Sequence, residues 1–167
     1  KTNIPEFFSY GKYNITDNFI IGAGVRKNIP SKNTQNYISG QMNLTYKFLS
    51  NHSLILSGGR YNNYALPNAE IQSKTLYQSN QVSVDYKFKS DRLETSAALF
   101  GKATNLKEQK EYIKGIELFG KTNILNNRLE LQASFTLADA YRENKTAIYP
   151  TKYDLDYFIR SSLEYKN

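Results

Sequence analysis

Ile38-Ser39-Gly40-Gln41-Met42-Asn43-Leu44-Thr45-Tyr46-Lys47-Phe48 is the stretch that decides the fold. Ile38, Gly40, Met42, Leu44, Tyr46 and Phe48 share one face of an extended chain; Ser39, Gln41, Asn43, Thr45 and Lys47 share the other. Successive strand side chains point to opposite faces, so a period of two marks a strand between an apolar and a polar environment. The same alternation recurs in Val82, Val84, Tyr86 and Phe88, and in Leu129, Leu131, Ala133, Phe135 and Leu137. Tyr157, Ile159, Leu163 and Tyr165 oppose Arg160, Ser162, Glu164 and Lys166, and Phe19, Ile21, Ala23 and Val25 oppose Gly22, Gly24 and Arg26. Helical spacing explains none of these.

Extending the pattern predicts strands over 7–16, 18–28, 37–48, 53–64, 74–88, 92–104, 112–124, 128–141 and 153–166. Many reach the roughly 9–11 residues that cross a bilayer at a steep tilt, whereas strands of soluble sandwiches run about 5–6. Asp17-Asn18, Leu49 to His52, Lys89 to Asp91 and Leu125 to Asn127 read as tight turns. Between them fall longer links at 29–36, 65–73, 105–111 and 142–152, containing Pro30, Pro67 and Pro150. Short turns alternating with long loops is the pattern of an outer-membrane barrel. Tyr13, Phe19, Tyr46, Phe48, Tyr86, Phe88 and Tyr165 lie beside the short turns. Tyr37, Tyr61, Tyr64, Tyr77, Phe100, Tyr112, Tyr141 and Tyr157 lie near the long loops. Two such bands match the two interfacial girdles of a barrel.

Two stretches depart from the alternation. Phe7 to Thr16 has no clean face. In Ser53 to Tyr64, continuing from Leu54 and Leu56 sets Arg60 on the apolar side; a β-bulge at Gly58-Gly59 would turn Arg60 to the lumen and Tyr61 to lipid.

Composition agrees with a membrane wall. The mean hydropathy of -0.61 hides an apolar face that only alternate residues form, and no apolar run has the length of a membrane helix. The chain holds Tyr 14 and Phe 9 but Trp 0 and Cys 0, so disulfides and thiolate metal sites are excluded. The formal charge of +7 is spread along the chain without a basic cluster, which argues against nucleic acid. The N-terminal Lys1-Thr2-Asn3 lacks the apolar segment of an export signal.

No catalytic or metal constellation appears. His52, the single histidine, reads as a turn residue, and zinc would need further ligands. No enzyme activity and no cofactor are expected. Gly22-Ala23-Gly24 opens no helix and reads as close packing on the lumen face.

Several short motifs, in order, resemble the C-terminal barrel half of the TonB-dependent outer-membrane receptors. Gly24-Val25-Arg26 ends a strand as that family's Gly-hydrophobic-Arg does. Arg60-Tyr61, then Tyr64-Ala65-Leu66-Pro67-Asn68-Ala69-Glu70, is similar to its strand and Pro-x-x-Glu loop. Ser79 to Lys87 resembles the next strand, with Gln81 where an acid is usual. Leu99-Phe100-Gly101-Lys102 and Gly115-Ile116-Glu117-Leu118 resemble its Phe-x-Lys and Gly-hydrophobic-Glu pair, and Ala133 to Ala140 with the Pro150 loop continues the order. The resemblance implies import of a scarce nutrient (an iron chelate, haem, cobalamin or an oligosaccharide) through a barrel of roughly 22 strands closed by a plug. Energy would come from the TonB complex, acting on a region before the plug.

The fold expected is therefore all-β: an antiparallel up-and-down transmembrane barrel segment of about nine strands, spanning 1–167. It would lie in the outer membrane of a Gram-negative bacterium, without plug, signal peptide or barrel-closing terminal strands. The odd strand count points the same way, because bacterial single-chain barrels have even numbers. Expected partners are outer-membrane lipid, the rest of the barrel and plug, the TonB complex through the region before the plug, and a small-molecule ligand. Arg60, Tyr64, Asn68, Tyr77, Lys107, Tyr112, Arg142, Tyr149 and Tyr153 are the candidate ligand contacts, each also readable as a solvated loop residue or interface anchor. Arg26, Glu94, Glu117, Arg160 and Glu164 are expected to face the lumen, in ion pairs within the wall or to the plug. The excess of basic residues favours anionic ligands. The competing readings are a small self-contained barrel acting as adhesin, structural protein or outer-membrane enzyme, and a soluble β-sandwich or lipocalin-like binder.

Overall fold

The computed structural model describes residues 5–29, 35–65, 75–106, 108–125, 128–151 and 154–165. These form one antiparallel sheet of ten strands: β1 (Glu6–Asn14), β2 (Phe19–Asn28), β3 (Ile38–Leu49), β4 (His52–Ala65), β5 (Thr75–Lys89), β6 (Leu93–Leu106), β7 (Gln109–Ile124), β8 (Leu129–Glu143), β9 (Ile148–Pro150) and β10 (Leu155–Tyr165). The order is that of the chain, with β10 beside β8 and the short β9 pairing the outer end of β8. Every predicted strand is present, with ends shifted by a few residues.

Pairing register carries the alternation across the whole sheet. Phe19 lies opposite Tyr46, Ile21 opposite Leu44 and Ala23 opposite Met42; Leu44 then meets Leu56, Leu56 meets Val84, Val84 meets Leu99, Leu99 meets Ile116 and Ile116 meets Leu137. These apolar positions therefore share one face, while Ile20, Ile55, Phe100 and Ile113 lie on the other. That face is uncovered: Met42 is 56% exposed, Leu99 57% and Leu163 65%. The buried positions, by contrast, are largely polar: Asn28, Ser39, Asn62, Ser79, Thr104, Glu111 and Glu130. A water-soluble domain buries its large apolar side chains. This sheet has no second layer among the described residues, so a sandwich with a buried apolar face is contradicted. The inverted distribution, apolar outside and polar inside, is the pattern of a β-barrel wall segment.

β1 gains a clean assignment from its partner. Phe7, Ser9, Gly11 and Tyr13 pair with Lys27, Val25, Ala23 and Ile21 on the apolar face, and Phe8, Tyr10 and Lys12 lie on the polar face. All seven aromatics predicted beside the short turns occupy the apolar face. Those of β2–β5 make a continuous belt: Phe19 stacks on Tyr46 at 4.4 Å between ring centroids, and Phe48, His52, Tyr86 and Phe88 follow, with His52 Nδ1 2.7 Å from the Tyr86 hydroxyl. His52 thus opens β4 and belongs to this belt, not to a turn. The other band is thinner than expected. Tyr112 and Tyr141 stack at 5.1 Å on the apolar face, but Tyr37, Tyr61, Tyr77 and Phe100 have the opposite parity and lie on the polar face.

Three expectations are corrected. The β3–β4 and β4–β5 ladders run without a break through Gly58 and Gly59, so no bulge forms; Arg60 stays with Leu54 and Leu56, and Tyr61 goes to the polar face. Gly59 instead allows close approach of β3, since a Cβ there would stand 2.7 Å from the Gly40 carbonyl oxygen. The link over 105–111 is not a long loop: β6 and β7 stay paired up to Leu106 and Gln109. The alternation of short and long connections fails at that point. The link over 142–152 is itself partly strand, because Asn144 Oδ1 accepts from Thr146 N at 2.9 Å and Ala147 N at 2.8 Å and turns the chain back as β9. Asp154 then accepts from the Ala140 amide at 3.2 Å where β10 shifts register.

The rows are staggered against the turns. The row that starts at Phe19 beside the β1–β2 turn reaches β8 at Phe135, with Ala133, Leu131 and Leu129 still between it and the β7–β8 turn. Such stagger accompanies the strand tilt of a barrel. β1 and β10 are the edges; they do not pair with each other, and both are exposed along their length.

Two glycines of β7, Gly115 on the polar face and Gly120 on the apolar face, give a local test. A Cβ on Gly115 would stand 2.3 Å from the Leu137 carbonyl oxygen and 2.6 Å from the Phe100 ring, whereas one on Gly120 meets nothing within 4 Å. Gly115→Ala is expected to cost about 1–3 kcal/mol and Gly120→Ala about nothing, read as unfolding midpoints of the intact protein.

Candidate functional site

The polar face carries the chemistry, and its side chains cluster at three places. The first is where β1–β4 end beside the 29–37 connection. Asn28, 1% exposed, donates to the Gln35 carbonyl at 2.8 Å and accepts from the Tyr37 amide at 2.7 Å, which fastens the returning chain. Arg26 pairs with Glu6 at 3.5 Å and donates to the Asn62 carbonyl at 2.7 Å, while the Tyr37 hydroxyl donates to Glu6. Asn62, which shares the parity of Arg60, joins this cluster where the β3–β4 ladder stops: its backbone N–H donates to Ser39 Oγ at 2.9 Å and its side-chain amide to the Ile38 carbonyl at 2.7 Å. Buried polar groups need such partners, and here they are met by the strand ends themselves.

The second cluster lies at the same end of β5–β9. Ser79, Thr104, Glu111, Arg142 and Tyr149 occupy successive paired positions. Arg142 donates to Glu111 at 2.7 Å, and Glu111 is buried. The third lies toward the short turns: Lys89 and Glu94 at 4.0 Å, and Lys121 and Glu130 at 2.7 Å, with Gln132 also donating to Glu130.

Between the clusters the wall is shaped by rings folded over glycines. A Cβ on Gly22 or Gly24 would meet Tyr10, one on Gly59 would meet the Tyr61 hydroxyl at 3.0 Å, and one on Gly115 would meet Phe100. Gly22 and Gly24 therefore do serve close packing on the polar face. Two adjoining depressions of about 290 Å3 each share Tyr61 as their common wall.

The candidate contacts divide between the faces. Arg142 and Tyr149 meet across the β8–β9 pair, and Tyr77 lies on the polar face of β5 opposite Asn63. Arg60 and Tyr112 stand on the apolar face, so they do not look into the polar side; the missing bulge is the reason for Arg60, and stacking on Tyr141 holds Tyr112. Tyr64 pairs with Leu76 in the backbone ladder, and its side chain lies outside the described residues, as do Asn68, Lys107 and Tyr153. Arg26, Glu94, Glu117, Arg160 and Glu164 all have polar-face parity. Sequence reasoning missed Glu111, Lys121 and Glu130, although strict alternation already sets each of them opposite the apolar positions. Asn28, Ser39 and Asn62 carried no signal, because they act through backbone partners brought in by a loop. Among the described residues no group of acids, histidines or cysteines is arranged to hold a metal ion.

No protein-family model and no curated protein matches this sequence. Among solved structures, the fold is similar to that of the siderophore receptor PiuA from Acinetobacter baumannii, with a TM-score of 0.67 at 13% identity. The likeness covers 96% of this chain and 30% of that receptor. It shows a shared β-barrel wall architecture.

Proposed function

We propose that this chain is a section of the wall of a TonB-dependent outer-membrane receptor that imports a scarce nutrient. The observation that carries the reading is the two-sided sheet: a largely apolar face with an aromatic belt, interrupted by the Lys114–Asp139 ion pair, backed by a polar face whose ion-paired carboxylates Glu111 and Glu130 are buried. Open sheet edges do not persist in hydrocarbon, because unpaired amides and carbonyls have no water there. β1 and β10 must therefore be met by further strands, and the rest of a larger barrel supplies them. The fold likeness to a siderophore receptor and the ordered motifs of the sequence support the receptor reading over a passive pore. In this reading the polar face lines the lumen, the ligand is an iron chelate, haem, cobalamin or an oligosaccharide, and coupling to TonB runs through a plug region. The protein then transports and does not catalyse a reaction.

The test is uptake by cells carrying the intact gene. Uptake of the ligand should fall to the level of cells lacking the gene when TonB is removed. Uptake that persists without TonB would overturn the receptor mechanism.

A further inference from the structure

We infer that Lys102, with Tyr61 and Phe100, forms an upper-wall subsite for the anionic, planar part of a small ligand; this rests on the reading that the polar face lines a ligand-conducting lumen. Lys102 lies on β6 in the middle of the sheet, with β4 and β5 on one side and β7 and β8 on the other. Its paired neighbours are Gln81 and Ile113. It is half-buried, yet has no hydrogen bond or ion pair to any described residue; Arg26, Lys89, Lys121 and Arg142 on the same face are each paired to a carboxylate, and Lys12, Lys47, Lys87 and Arg160, which are not, are exposed.

Neighbouring acids do not serve it. Glu111 is held by Arg142, and Asp85 and Glu117 sit further along the strands, bonded to Ser83 and Thr136. Because every flanking strand is present, a counter-charge for Lys102 would come from the space the polar face looks into. A partly desolvated ammonium favours an anion there.

The surroundings say what kind. Lys102 lines a depression of about 290 Å3 together with Tyr61, Phe100, Gln81, Ser83 and Ile113. Phe100 is laid along the wall by Gly115, and Tyr61 is folded back at Gly59, where its hydroxyl donates to Gln41 at 3.3 Å. Two rings, one free cation, an amide and a hydroxyl suit a flat group bearing a carboxylate or a similar oxyanion. One aspartate or glutamate side chain from a covering domain would neutralise the charge but leave the ring-lined space unfilled.

The experiment uses the intact membrane protein in detergent with salicylate as the probe and salicylamide as its uncharged counterpart, followed by calorimetry. Salicylate should bind, Lys102→Gln should weaken it about tenfold, and Lys102→Arg should restore it. Absence of salicylate binding, equal binding of salicylamide, or indifference to Lys102→Gln would each overturn the inference. Its failure is separable from that of the receptor reading: TonB-dependent uptake with Lys102→Gln indifferent to salicylate removes only the subsite, whereas Lys102-dependent binding with TonB-independent uptake removes only the receptor mechanism.

Discussion

Leu99→Arg is expected to cost the intact protein about 2–4 kcal/mol, while Ala98→Arg, one residue away, is tolerated. Leu99 sits halfway along the apolar face of β6, between Val84 and Ile116, and is 57% exposed. An arginine there places its charge in the hydrocarbon, far from either interface. Ala98 points to the polar face between Asp85 and Glu117, which pair with it on the two sides. An arginine at that position gains two carboxylate neighbours and water. Unfolding midpoints of the two variants in lipid vesicles check the contrast; equal losses would mean that the faces are assigned wrongly.

Lys121→Met carries the second large effect, a loss of about 3 kcal/mol. Glu130 is 4% exposed, with Lys121 Nζ 2.7 Å away, and Glu164 stands directly across the β8–β10 pair. Removing the lysine leaves a buried carboxylate held by the neutral Gln132 amide but without its cation, facing a second acid. Because the Lys121 side chain is itself 32% exposed, water relieves part of the penalty, so the lower end of the range for broken buried pairs applies. Adding Glu130→Gln removes the buried negative charge and is expected to recover most of the loss. A double variant no better than Lys121→Met alone would show that the lysine acts through packing.

What the sequence makes legible follows from the two-sidedness of the sheet. In Ile38 to Phe48 and Leu129 to Leu137 one face is apolar and the other polar, so every second residue is constrained and the register can be read by eye. Arg60 is harder to read. An arginine in line with Leu54 and Leu56 suggests a bulge that turns it away; the ladder instead stays straight and Arg60 stands level with Asn80, Ala103 and Tyr112, near the end of the apolar band. Charge costs little close to an interface. The 105–111 region misled for a related reason: Asn105, Gln109, Lys110 and Glu111 are polar on both faces, so the hydropathy signal fades although the hydrogen-bonded ladder continues. The polar clusters were legible only in part. Arg142 stood out as a charge near a loop, but its partner Glu111 comes from the neighbouring strand, and nothing local in the sequence joins them.

The most direct test of the two-faced wall is a nitroxide scan of β6 in the intact protein, made cysteine-free and reconstituted in lipid; this chain itself contributes no cysteine. Single cysteines are placed in turn from Ala97 to Lys102, and the label's collisions with oxygen and with a water-soluble nickel complex are compared. Ala97, Leu99 and Gly101 should favour oxygen, and Ala98, Phe100 and Lys102 the nickel complex, with a period of two. A flat profile, or the same period in opposite phase, would contradict the account.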